Sequence, residues 1–148
     1  MPTVATVART DAGLASELRM SVVRLRRRLI GERDPSNDLS LGSMAVLGCL
    51  YRRGPLQIGE LAAHERVRPP SMTRTVTALQ RDGYVERHEH ESDARLVVVH
   101  LTERGRETLL ADRKRRDAWL ACRFRELSAE ERAILRAAAP ILERLAAE

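Results

Sequence analysis

Residues 57–101 read QIGELAAHERVRPPSMTRTVTALQRDGYVERHEHESDARLVVVHL, and the changes of period along that stretch decide the fold. Ile58, Leu61 and Ala62 share one helical face, which predicts a short helix from Ile58 to Glu65. His64 to Arg68 make the turn. Pro69 and Pro70 open a second helix, because first-turn N–H groups have no intrahelical partner to lose. They also push Arg68 out of the α region, so the helix starts no earlier. Met72, Val76 and Leu79 recur at i, i+4 and i+7 and give this helix a buried stripe. Gly83 sits where a helix ends in a left-handed turn. From Tyr84 the period becomes two, with Val85 and Arg87 on one face and Tyr84, Glu86 and His88 on the other. Leu96 to Leu101 is a second strand, and Thr102 caps the helix after it. Between the strands, Glu89 to Ala94 reads as a polar loop too long for a two-residue turn. Helix, tight turn, helix and hairpin in this order make a winged helix-turn-helix.

Ser71, Thr73, Arg74, Thr77 and Arg81 occupy the rest of the second helix's surface, and its first turn has no carboxylate. The helix dipole favours an acid there, so leaving the place empty suits an N-terminus that meets phosphate. Short hydroxyls and an arginine fit base edges in a major groove, where arginine bonds guanine in bidentate fashion. An ordinary amphipathic helix with a solvated polar face fits the same residues. Taken alone, the helix leaves both readings open.

Ile58-Gly59-Glu60-Leu61-Ala62, Pro70-Ser71-Met72-Thr73-Arg74, Leu79 with Asp82-Gly83-Tyr84-Val85, Asp93-Ala94-Arg95 and Leu101-Thr102-Glu103-Arg104-Gly105 stand in order along the chain. As a set at these spacings they resemble the MarR family of bacterial transcriptional regulators, over nearly the whole length. The resemblance implies a homodimeric regulator of transcription that binds double-stranded DNA. The expected DNA-binding positions are Ser71, Thr73, Arg74 and Thr77 in the major groove beside Pro70, with Arg68 on phosphate, and the resemblance adds Arg95 reaching the minor groove from the wing with Asp93 orienting it. It also implies that a small aromatic or phenolic effector binds between the dimerisation helices and the winged helix. Two residue patterns depart from the family. The wing tip, His88-Glu89-His90-Glu91-Ser92-Asp93, is poor in positive charge, and Arg68 stands where a hydroxyl residue often caps the recognition helix.

Outside this stretch, Leu14, Leu18, Val22, Leu25 and Leu29 form one stripe and predict a long helix from Asp11 to Gly31, with Arg24, Arg26, Arg27 and Arg28 around its other sides. The first ten residues or so are expected to be mobile. Glu32 to Asp38 is a loop, and Ser40 caps a helix presenting Met44, Leu47, Leu50 and Tyr51 that ends near Gly54-Pro55. Leu56 begins the approach to the helix-turn-helix. Thr102 opens a helix that could extend to Leu127, about 37 Å long, and with a very polar middle from Asp112 to Asp117 it is not expected to pack along its whole length on a small domain but to bridge two lobes. Ser128 and Glu131 form a capping box for a last helix with Ile134, Leu135, Ala138, Ile141, Leu142 and Leu145 on one face, expected to kink at Pro140. This much apolar surface at both ends favours a homodimer with intertwined termini.

At 148 residues the chain has the length of one domain, and 43% hydrophobic with 32% charged residues is a globular composition. A net charge of +5 suits a polyanionic partner, although Lys114 is the only lysine, a bias that a GC-rich genome also produces. Aromatic residues at 3% count against single-strand binding by base stacking. No apolar run approaches the roughly eighteen residues of a membrane span, and the start lacks the pattern of a signal peptide, so a cytoplasmic location is expected.

Cys49 and Cys122 lie in helical patterns and suit a reducing compartment. Arg52 and Arg123 nearby leave open an alternative, regulation by cysteine oxidation, against the commoner small buried hydrophobe. His88, His90 and His100 without a cysteine nearby make a weak metal set, and no metal or cofactor is expected. There is no phosphate loop, metal cluster or nucleophile elbow, which excludes the common enzyme classes. A winged helix that binds protein is the other alternative, disfavoured by the polar start of the second helix.

The expectation is a mainly α fold with a small β-hairpin wing in one domain, residues 1–148. Within it, 39–101 form the winged DNA-binding lobe, and 11–33 with 102–148 form dimerisation helices. Its function is expected to be that of a ligand-responsive repressor on a pseudo-palindromic operator.

Overall fold

The computed structural model describes residues 10–147, and the mobility expected of the N-terminal residues before them lies outside that range. Six helices and three strands follow in the order α1 (Asp11–Gly31), α2 (Leu41–Arg53), β1 (Leu56–Gln57), α3 (Ile58–His64), α4 (Pro69–Arg81), β2 (Val85–His90), β3 (Asp93–Leu101), α5 (Glu103–Phe124) and α6 (Ala129–Ala146). The chain divides into two compact units, residues 34–114 on one hand and the residues up to Arg33 with those from Arg115 on the other.

Residues 34–114 carry the closed core. Leu47 of α2, Leu61 of α3, Val76 and Leu79 of α4, Val85 of β2 and Val99 of β3 are sealed from solvent. The stripe expected on α4 is therefore its buried face, with Met72 completing it. The sheet has the order β1-β3-β2 and is antiparallel throughout. Its third strand enlarges the expected hairpin: Leu56 pairs with Val99 and Gln57 with Val98.

The wing corrects the expected loop. Strands β2 and β3 run on to His90 and Asp93, which pair across a turn of only Glu91 and Ser92, with a register irregularity at Glu89 and His90. Polar residues extend the ladder here because both faces of the wing tip meet solvent, so pairing does not depend on an apolar face.

The helix-turn-helix is closed by two similar stops. At the end of α3, Val67 N–H donates to Ala62 O (3.0 Å) and Arg66 N–H to Ala63 O (3.3 Å), with Arg66 in the left-handed region at φ 53°. At the end of α4, Tyr84 N–H donates to Leu79 O (2.9 Å) and Gly83 N–H to Gln80 O (3.1 Å), with Gly83 at φ 81°. Thr102 then locks the wing to α5, since its hydroxyl donates to Gly83 O (2.7 Å) and accepts from Gly105 N–H (3.1 Å). Gly105 is required there because a Cβ would collide with the Tyr84 carbonyl and the Leu101 side chain.

The polar middle of α5 begins with a buried carboxylate. Asp112 is fully buried, and its carboxylate accepts from Asp34 N–H (3.1 Å) and Asn37 Nδ2 (2.9 Å), fastening the loop after α1. A buried carboxylate is tolerated when such donors meet it.

Among the described residues, the other unit has no closed core of its own. Neither α1 nor α6 has a buried residue. Arg116 Nε donates to Leu29 O (3.1 Å), and the Arg28 guanidinium lies 5.4 Å from the Trp119 ring. The capping box at Ser128 and Glu131 is formed, and α6 continues unbroken through Pro140. No helix among the described residues is long and apolar enough to cross a membrane.

Candidate nucleic-acid interface

The start of α4 gathers six of the eight expected site residues. Arg68 precedes the helix in extended conformation and makes no side-chain cap, in keeping with the weaker cap expected of an arginine there. Pro69 and Pro70 fill the first two helical positions, and the first turn has no acid. The two prolines carry no N–H, so Ser71 N–H is the donor left in the first turn, and no carboxylate there neutralises the positive end of the dipole. Arg68, Pro70, Thr73, Arg74 and Thr77 are exposed and Ser71 is half-buried, while Met72, Val76 and Leu79 anchor the opposite face.

The polar groups on this surface are partly committed. Thr73 Oγ1 donates to Pro69 O (3.0 Å) and Thr77 Oγ1 to Thr73 O (2.8 Å). Among the described residues Arg74 makes only a long contact with Ser71 Oγ (3.5 Å), and its side chain is exposed.

Asp93 and Arg95 stand on β3 at the wing tip. Arg95 Nε and Nη2 reach the two Asp93 oxygens at 3.1 Å each, and Arg95 N–H donates to Asp93 Oδ1 (3.0 Å). The Arg95 side chain is 90% exposed, so the pair aims a guanidinium outward. Its hydrogen bonds hold the Asp93 carboxyl below the ordinary carboxylate range. Around it, Glu89 and Glu91 are exposed and His88 Nε2 lies 3.0 Å from Glu86 Oε2, so the tip keeps the acidic character read from the sequence.

Arg87 was missed as a member of the site. It shares the face of Val85, and Val85 packs in the core, so the same alternation that buries the valine turns the arginine toward α4. Its Nη2 donates to Thr77 Oγ1 at 2.8 Å and ties the wing strand to the helix.

The alternative chemistries find less support in the geometry. His88 and His100 meet edge to face with ring centres 4.7 Å apart, but among the described residues no group of His, Cys, Asp and Glu could hold a metal ion. Both cysteines are free; Cys122 is exposed, and Cys49 is buried, with its thiol pKa pushed up chiefly by that burial despite the lowering effect of Arg52 and Arg53.

The sequence model of the MarR family matches residues 39–97. An HTH-type transcriptional regulator of Mycobacterium tuberculosis is 44% identical over 133 residues, covering 90% of this chain and 92% of the relative. Among solved structures, a candidate transcriptional regulator from Pseudomonas aeruginosa is 36% identical, with a TM-score of 0.81 over 92% of this chain and 94% of that one. A variant of Staphylococcus aureus MepR bound to an oligodeoxyribonucleotide has the same fold at 20% identity, with a TM-score of 0.67 over 88% of this chain and 96% of that one. With its helix-turn-helix, its wing and relatives that match along nearly its whole length, the chain belongs to the MarR family of transcriptional regulators, which bind DNA and are not enzymes.

Proposed function

We propose that the chain is a repressor that acts as a homodimer on a pseudo-palindromic operator in the bacterial cytoplasm. The observation that carries the reading is the acid-free start of α4, with exposed Arg68 and Arg74 among short polar side chains above a fully buried anchor stripe. Arg68 takes phosphate, Arg74 takes a guanine, and Pro70, Ser71, Thr73 and Thr77 form the rest of the surface in the major groove. Arg95, oriented by Asp93, enters the minor groove.

The apolar faces of α1 and α6 support the dimer. Leu14, Val22 and Leu25 of α1 and Ile134, Leu135, Ile141, Leu142 and Leu145 of α6 are all exposed in the single chain. A second copy related by a two-fold axis covers such faces with the same residues and presents two α4 helices to half-sites about 10 bp apart. A small aromatic or phenolic effector regulates the dimer through unequal affinity for its DNA-competent and DNA-incompetent states.

A cysteine-oxidation switch is a poorer reading at Cys49, which is buried and resists ionisation. A protein-binding winged helix would expose large apolar side chains on α4, whose Met72, Val76 and Leu79 are instead in the core.

Selection of bound sequences from a random duplex pool, followed by titration of the selected duplex at several salt concentrations, tests this function. The expected result is an inverted repeat whose affinity falls with a log-log salt slope equivalent to several phosphate contacts. Weak binding to every sequence alike contradicts it.

A further inference from the structure

We infer that α4 reads thymine through two threonine methyl groups rather than through hydroxyl protons, and that Arg87 is the positioning residue for one of them. The inference rests on the major-groove reading of α4 and adds the base class it selects.

A threonine hydroxyl has a single proton. Thr73 spends it on Pro69 O and Thr77 on Thr73 O, each one helical turn back along the chain. Neither side chain can then donate to guanine O6 or N7, or to thymine O4. Thr77 is committed further, because its oxygen also accepts from Arg87 Nη2 at 2.8 Å. With the oxygens turned onto the helix and the wing strand, the methyl is the group on each side chain without a polar partner. Thr73 and Thr77 are both exposed and lie at i and i+4, so the two methyls stand in one row about 6 Å apart, beside Arg74.

Thymine is the base that presents a methyl group in the major groove. A pair of methyls next to a free guanidinium therefore selects thymines flanking a guanine, with each apolar contact excluding water from both partners.

Arg87 gives this row its fixed geometry. The side chain is half-buried on β2, and its Nε is buried with no hydrogen-bond partner among the described residues. An unmet buried donor is costly, so this placement is not the one that best satisfies the guanidinium. What the placement achieves is the bond to Thr77, which fixes χ1 of that residue from outside its own helix.

The test replaces each thymine of the selected duplex by uracil, one position at a time, which removes only the C5 methyl. Affinity should fall about fourfold at each of two positions per half-site, the factor that ~0.8 kcal/mol for one buried methyl represents. Thr73→Ser should abolish the penalty at one position and Thr77→Ser at the other, since serine keeps the hydroxyl and lacks the methyl. Arg87→Ala should bring the thymine-to-uracil ratio toward one at the Thr77 position alone. A merely structural Arg87 would lower affinity for both duplexes equally and leave the ratio unchanged, which overturns its assigned role. Sequence-selective binding that ignores every uracil overturns the methyl readout while the major-groove reading stands. Failure of any selective binding to emerge overturns both.

Discussion

Leu47, Leu61 and Val99 of the winged unit are closed off from solvent, whereas Ile134 and Leu145 of α6 are 60% and 70% exposed, although all five are large apolar side chains on regular elements. The winged unit encloses a core between three helices, a small sheet and the first half of α5, and leaves Leu41, Tyr51, Val67, Leu96 and Val97 at its surface. The unit formed by α1, α6 and the second half of α5 leaves its apolar stripes in contact with water. A chain does not maintain two such stripes without something to cover them, since each fully covered leucine or isoleucine contributes about 1.5–3 kcal/mol. On the proposed function the comparison separates two tasks along one sequence: residues 34–114 form the reading head around the closed core, and the ends supply the pairing surface.

The largest expected effect strikes the second task. Ile141→Asp combined with Leu142→Asp places two charges on the apolar face of α6, at a cost on the order of several kcal/mol per desolvated ion. Sedimentation should show single chains where the parent gives dimers, with the circular dichroism of the winged unit retained. A double variant that remains dimeric would remove α6 from the interface. Next comes Leu61→Ala, which empties a fully buried site and should destabilise the winged unit by about 2–5 kcal/mol in urea titration. That loss belongs to the reading head, so it should not depend on protein concentration once dimers are fully formed.

Arg74→Ala should leave the urea midpoint unchanged and weaken operator binding by about 1–3 kcal/mol, mainly through lost discrimination at one base pair. Equal affinity for the selected duplex would take Arg74 out of the reading set. The smallest effect is a thiol that fails to react. In a Cys122→Ser chain, Cys49 should resist alkylation in the native state and react on unfolding, because burial keeps it protonated above the usual thiol range. Its raised pKa contributes stability that is present below the unfolded thiol's pKa and lost as pH rises through the folded value. Rapid native labelling of Cys49 would show that the core is less closed than described.

The features legible in the sequence were those set by local chemistry. Pro69, Pro70 and Gly83 mark the ends of α4, and Met72, Val76 and Leu79 mark its inner face, because each effect acts within one or two turns. What escaped reading depends on residues far apart. Strand β1 is two residues long and exists through pairing with Val98 and Val99, so no periodicity could announce it. Asp112 looks solvated in its charged surroundings and is buried because Asp34 and Asn37, more than seventy positions away, meet its oxygens. The wing strands outran expectation because backbone pairing tolerates polar side chains on faces that both meet water. Arg87 did carry a usable signal, the shared face with Val85, but its target on α4 appears only once the strand is placed against the helix.

The most direct measurement for this division of labour is the mass of the complex formed with the selected duplex at nanomolar concentration, by sedimentation or native mass spectrometry. Two chains on one inverted repeat, with both half-sites required, is the result that a reading head paired through its terminal helices demands. One chain bound per duplex at full affinity, with the second half-site dispensable, would contradict it.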